Sequence, residues 1–77
     1  MATEPEFRIY STESLGAAIR HFRKQAGLTQ NQLAELAHIQ RTYLTELEQG
    51  RHADQTRRLI IILKHLGIRM TLQKADW

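Results

Sequence analysis

Three glycines divide this chain into helix-length pieces. Gly27, Gly50 and Gly67 each follow a stretch whose apolar residues recur at helical spacing, where a left-handed residue ends a helix. The single proline, Pro5, lies ahead of all these stretches, and only Gly16 falls inside one. A chain punctuated in this way reads as a series of short helices. Its 77 residues make one small domain, with no room for a cleft between two halves. Apolar residues at 42% and charged residues at 25% match folded globular usage rather than disorder. With no cysteine, a disulfide framework, a thiolate nucleophile and a Cys-based zinc site are excluded. Small domains without such staples often gain stability by associating.

The first helix is expected from about Thr12 to Ala26, capped by Ser11, with Glu13 in its first turn. Leu15, Ile19, Phe22 and Ala26 form its apolar stripe, and Arg20, Arg23 and Lys24 lie off it. The second helix opens at Thr29, which with Gln32 has the spacing of a capping box, and ends near Ala37 or His38. Leu33, Leu36 and Ala37 read as its buried face, with Ala34 allowing close packing. The third runs from about Arg41 to Gln49, with Ile39, Leu44 and Leu47 facing inward. The fourth follows Asp54, a strong N-cap, and ends at Leu66. Leu59, Ile62, Leu63 and Leu66 make its core stripe, and Ile60 and Ile61 widen the apolar surface into a second face that suits a dimer contact. Beyond Gly67 the period becomes two: Ile68, Met70 and Leu72 alternate with polar residues, as in a half-buried strand. A lone strand is unstable. Phe7–Tyr10 is one possible partner, and the same strand of a second copy about a two-fold axis is the favoured one.

Two short helices, Gln30–Ala37 and one starting at Arg41, joined by the turn His38–Gln40, have the layout of a helix-turn-helix. Such a unit needs a second helix that presents forked and short polar side chains to base edges, and a first helix whose N-terminal amides lie near a phosphate. Arg41 suits guanine O6 and N7, Gln40 suits adenine N6 and N7, and the methyl of Thr42 or Thr45 suits a thymine methyl. Gln30, Tyr43, Arg51 and His52 are candidate contacts to the DNA backbone. Charge agrees with this reading: the net +3 concentrates at residues 14–38 (+2) and 55–77 (+4), and eight of eleven basic residues are arginine. Arg57 and Arg58 oppose the dipole at the start of helix four, a weak pointer to an anionic partner.

The run LTQNQLAELAHIQRTYLTELEQG resembles the phage-repressor type of helix-turn-helix, the Cro/XRE family, through Leu28-Thr29-Gln30, Leu33-Ala34, Ile39, Leu44 and Glu48. The resemblance covers residues 14–67 and implies an all-α, lambda-repressor-like helix-turn-helix bundle that dimerises to read a palindrome. The leader FRIYSTESL and the tail LKHLGIRMTLQKADW further resemble HipB-type antitoxins, which add a short strand paired across the dimer. That resemblance implies autorepression of an operon and binding to a HipA-type serine/threonine kinase toxin. It aligns Gln40, Arg41, Thr42 and Thr45 with base-reading positions and Gln30 with a backbone-contacting one. The chain departs from the family pattern at four places. His38 stands where the turn usually has glycine, and a β-carbon there needs a right-handed backbone or about 1–3 kcal/mol of strain. Gln40 replaces a better cap, the loop after Gly50 lacks a proline, and Glu46 on the reading helix would be repelled by phosphate unless it points away or meets a cytosine amino group.

The organisation expected is therefore a leader (1–10), a helix-turn-helix DNA-binding domain (11–67), a dimerisation strand (68–73) and a tail (74–77). Ile60, Ile61, Ile68, Met70 and Leu72 form the expected dimer interface, and Trp77 is a possible peg for a partner. Glu48 reads as structural, tying the end of helix three to neighbouring backbone. The four histidines are too far apart for a metal motif, and no nucleotide loop or nucleophile motif occurs. No cofactor, metal or catalytic residue is expected. No apolar run approaches the roughly 18 residues of a membrane span, and the start lacks a signal-peptide pattern, so the expected location is cytoplasmic. Two alternatives stand beside the antitoxin reading: a phage-type or restriction-controller regulator with no toxin, and a protein-binding adaptor that has lost DNA binding.

Overall fold

Local capping sets where the helices begin. Ser11 Oγ accepts from Ser14 N at 3.0 Å, and Ser14 Oγ accepts from Ser11 N at 2.9 Å, so two serines close a reciprocal box. The expected Thr29–Gln32 box is present, with Gln32 N donating to Thr29 Oγ1 at 3.1 Å and Thr29 N to Gln32 Oε1 at 2.8 Å. Gln40 makes no side-chain cap bond. The computed structural model describes residues 5–51 and 54–75. Along the chain lie β1 (Glu6–Ile9), α1 (Thr12–Gln25), α2 (Gln30–Ala37), α3 (Arg41–Glu48), α4 (Asp54–His65) and β2 (Met70–Gln73). Asp54, expected as a cap, is instead the first residue of α4, and its carboxylate accepts from Arg57 at 3.0 Å.

Each helix stops in the same way. After α4, Gly67 takes φ +71°, its N–H donates to Lys64 O, and Ile68 N reaches back to Leu63 O at 2.9 Å. After α2 the same pair of bonds forms around His38, with Ile39 N donating to Ala34 O at 3.0 Å. His38 sits at φ 57°, ψ 43°, the left-handed conformation that a β-carbon disfavours.

The two strands join the ends of the domain. β1 and β2 pair antiparallel, with Phe7 opposite Leu72 and Ile9 opposite Met70. The inner edge of β2 is thus taken by β1 of the same chain, rather than by a second copy as favoured from the sequence. The N-terminal segment supplies the local partner that a short strand requires. Phe7, Ile9, Met70 and Leu72 turn toward α1 and α4, where Ile9, Ala18 and Ile60 are buried and Leu15 and Phe22 pack against them. The Phe7 ring meets Phe22 edge-on at 5.4 Å.

A second centre lies under the helix-turn-helix. Leu44 is 2% exposed and Ala34 4% exposed. Burying a leucine so completely stabilises by about 1.5–3 kcal/mol. Gly16 lets α1 lie on the end of α3: a β-carbon there would stand 2.6 Å from Glu48 O and closer still to Leu47 O. Thr12 Oγ1 donates to Gly50 O at 3.2 Å across the same contact.

Several expectations about packing are corrected. Ile60, expected at a dimer surface, is buried in the core with Ile9 of β1 and Ala18 of α1. Of the stripe read as core, Leu59, Ile62 and Leu66 are exposed and Leu63 is half-buried. Ile62 lies roughly 200° around the helix from buried Ile60. Met70 and Leu72, expected at the dimer interface, are half-buried and pack against the core of their own chain. On α2, Leu36 is exposed, being roughly 200° around the helix from buried Ala34. Ala26, one residue beyond α1, is exposed too.

Candidate nucleic-acid interface

The α2–turn–α3 unit presents one polar end. Gln40, Arg41 and Thr42 are exposed where α3 begins, and Tyr43 beside them is 50% exposed. The helix N-terminus behind them leaves unpaired amides and positive dipole pointing the same way. Arg51 is exposed just past the end of α3, its backbone N–H donating to Glu46 O at 2.8 Å. His52 and Trp77 lie outside the described residues.

Gln30 and Thr45 occupy a different environment from their neighbours. Both are half-buried, and the Thr45 hydroxyl donates to Gln30 Oε1 at 3.0 Å. Gln30 Nε2 donates to Glu48 Oε1 at 3.1 Å. Glu48 also receives a two-pronged contact from Arg23, Nε to Oε2 at 2.7 Å and the guanidinium NH2 group to Oε1 at 3.1 Å. The third guanidinium nitrogen of Arg23 donates to Leu28 O at 2.8 Å. The side chains of Arg23 and Glu48 are 9% and 3% exposed. Burial pushes the Glu48 carboxyl up, but hydrogen bonds from Arg23 and Gln30 and the charges of Arg23 and Arg20 outweigh it and hold it below the ordinary carboxylate range. Its hydrogen bond to Glu48 raises Arg23 further.

This chain of bonds does mechanical work. It ties α1, the start of α2 and the end of α3 through one carboxylate, so the angle between α2 and α3 is set by polar contacts as well as by Leu44. Glu48 is structural, as its position suggested, but its partners are side chains from two other helices rather than neighbouring backbone. Arg23 was missed as a site residue, because charge at the end of an amphipathic helix reads as surface. Arg20, which with Gln30 and Thr45 lines the pocket over this network, was likewise set aside. Arg57, the weak pointer to an anion, is occupied locally by Asp54.

Among the described residues, a four-helix bundle closed by a two-stranded sheet, with an exposed polar start to the second helix of a helix-turn-helix, defines a protein class. The chain belongs to the helix-turn-helix domain family, whose match runs over residues 14–72. Two relatives come from Bacillus phage phi105. The chain is 36% identical to its immunity repressor protein over 58 residues, 75% of this chain and 40% of that one. It is 38% identical to the ImmF control region 10 kDa protein, also over 58 residues, 73% of this chain and 64% of that one. The chain therefore spans less than two thirds of the length of either relative. These likenesses place the fold with phage-repressor-type helix-turn-helix proteins. No solved structure gives a significant match. Among the described residues, no helix is long and apolar enough to cross a membrane.

Proposed function

We propose that this protein is a sequence-specific DNA-binding repressor that works by occlusion and not by catalysis. The observation that carries this is the division of roles on α3. Gln40, Arg41 and Thr42 stand free at its start, while Thr45 and Glu48 further along lock it to α1 and α2. In this reading α3 enters the major groove and α2 lies across the backbone with its first amides near a phosphate. Arg41 forks onto guanine, Gln40 reads adenine, and the methyls of Thr42 and Thr45 meet thymine. Gln30, Tyr43, Arg51 and His52 hold the backbone, which supplies most of the affinity.

The reading requires two copies. Leu59, Ile62 and Leu66, with Ile61 beside them, expose a run of large apolar side chains on and just after α4. A second copy on this stripe buries them and sets two α3 helices about 34 Å apart, one turn of an inverted repeat. This moves the proposed dimer contact from Ile60, Ile68, Met70 and Leu72 to the outer face of α4, keeping Ile61. The name of the phage relative, an immunity repressor, supports a repressor's role for this chain.

Within that reading, the HipB-like flanks favour an antitoxin that represses its own operon and binds a HipA-type kinase toxin in the cytoplasm. Those flanks form β1, the cap of α1 and β2. The phage relatives favour a regulator without a toxin. Selection of bound duplexes from a random pool, at about physiological salt, tests the repressor reading. The expected product is a two-fold-symmetric consensus. No enrichment by a sample shown to be folded and dimeric by sedimentation would overturn it and leave a protein-binding adaptor. Recovery of a kinase with the protein from its native host separates the antitoxin from a plain regulator.

A further inference from the structure

A small groove opens on the side of the domain built by β1, α4 and the approach to β2, and it shares no residue with α2 or α3. Ile60 and Leu63 of α4 and the exposed Ile68 give it apolar walls, and its volume is about 160 Å³. That is close to the roughly 150 Å³ of an engineered apolar cavity that takes up benzene, so one medium apolar side chain fits. Three cations surround it: Arg8 from β1, Lys64 from the last turn of α4 and Arg69 before β2. All three are exposed, none has an ion-pair partner among the described residues, and no acidic residue lines the groove.

We propose that this groove docks a short acidic segment of a partner protein, with one apolar side chain seated between Ile60, Leu63 and Ile68 and flanking carboxylates on Arg8, Lys64 and Arg69. Charge selects the occupant. A second copy centred here about a two-fold axis would bring these three cations against their own equivalents, and like charges across an interface disfavour the pairing. An acidic segment neutralises them and covers the apolar wall at once. The site is independent of the operator reading, because none of its residues belongs to the helix-turn-helix unit.

The test uses the full chain, labelled with ¹⁵N, and a capped hexapeptide with two central leucines flanked on each side by two glutamates. Amide shifts are expected to saturate and to centre on residues 8–10, 60–64 and 68–70. The double charge reversal Lys64→Glu/Arg69→Glu should weaken binding by roughly tenfold or more, as expected when two charge-assisted contacts are lost. It should leave the folded amide spectrum unchanged. A peptide with lysines in place of the glutamates should produce no shifts. Should the reversal variant not fold, the salt dependence of the native protein decides, since binding must weaken as sodium chloride is added. The proposal is overturned by unsaturable shifts, by equal binding of the lysine peptide or by a flat salt dependence. It is also overturned by concentration-dependent shifts at residues 8–10 and 69–70 without peptide, which would assign the groove to a second copy, or by the same shifts with a short duplex, which would assign it to phosphate.

Discussion

His38→Gly should make this protein more stable. His38 holds the left-handed turn between α2 and α3 at φ 57°. A β-carbon in that conformation costs about 1–2 kcal/mol. Glycine removes the cost but enlarges the unfolded ensemble, which takes back about 0.5–1 kcal/mol. The side chain offers nothing to offset the change: it is exposed, and its recorded hydrogen bonds are those of its backbone. The net gain is about 0.5–1 kcal/mol, and for a domain of this size each kcal/mol moves Tm by about 4–8 °C. Urea unfolding measures it as a rise in midpoint at constant m. Two controls isolate the cause. His38→Ala keeps the β-carbon and loses the imidazole, so it should stay within about 0.5 kcal/mol of the native protein. Gly67→Ala adds a β-carbon at φ +71° with nothing within 4 Å of it, so it should lose what His38→Gly gains. A lower midpoint for His38→Gly, or a large loss in His38→Ala, would show that the imidazole itself holds the turn and would refute the strain argument.

Gly16→Ala should destabilise by about 1–3 kcal/mol despite alanine's better helix propensity, because α1 must lift off the end of α3; thermal unfolding reads this as a fall in Tm. Glu48→Gln should cost about 3 kcal/mol near neutral pH by leaving Arg23 buried without its counter-charge. The folded pKa of Glu48 lies below its ordinary 4.5, so its contribution is complete above that pH and is lost as pH falls through the lower folded value. The gap in urea midpoint between Glu48→Gln and the native protein should therefore narrow as pH falls below 4.5, and a constant gap would contradict the assignment. Arg41→Ala should weaken duplex binding by about 1–3 kcal/mol and relax preference at one base pair, measured against the selected consensus and its single-base variants. A uniform loss on every duplex would place Arg41 on phosphate instead.

What the sequence discloses here is what forms within about five residues. The Ser11 cap, the Thr29–Gln32 box and the glycine stops depend on bonds that span three to five positions, and all appear where spacing puts them. The exposed start of α3 is legible for the same reason, since polar residues follow a capped turn. The inward side of α4 is not. With Leu59 through Leu63 all apolar, a period of 3.6 selects no single face, and the choice of Ile60 over Ile62 is made by α1 and the sheet. The partner of β2 lies at the other end of the chain, and its pairing with Phe7 and Ile9 is a long-range event that alternation alone does not address. Arg23 and Glu48 stand 25 residues apart, so nothing local distinguishes their pairing from two surface charges.

The buried pair also raises the question of what such an arrangement is for. Removing two charges from water costs several kcal/mol per ion, and apolar residues of similar size often replace such a pair at no loss of stability. Leu44 and Gly16 already bring the helices together without it. What apolar residues could not do is orient the Gln30 amide, which donates to Glu48 while accepting from Thr45. We infer that the pair serves recognition by fixing Gln30 and Thr45 at the face proposed to meet DNA. The double variant Arg23→Met/Glu48→Leu separates the two roles. Its unfolding free energy should fall within about 2 kcal/mol of the native value, in either direction. Its affinity for the selected duplex should drop by roughly tenfold, or about 1.4 kcal/mol, because Gln30 must now be ordered on binding. Stability retained with affinity unchanged would mean that the network only fills space, and that Arg41 and its neighbours read DNA without it.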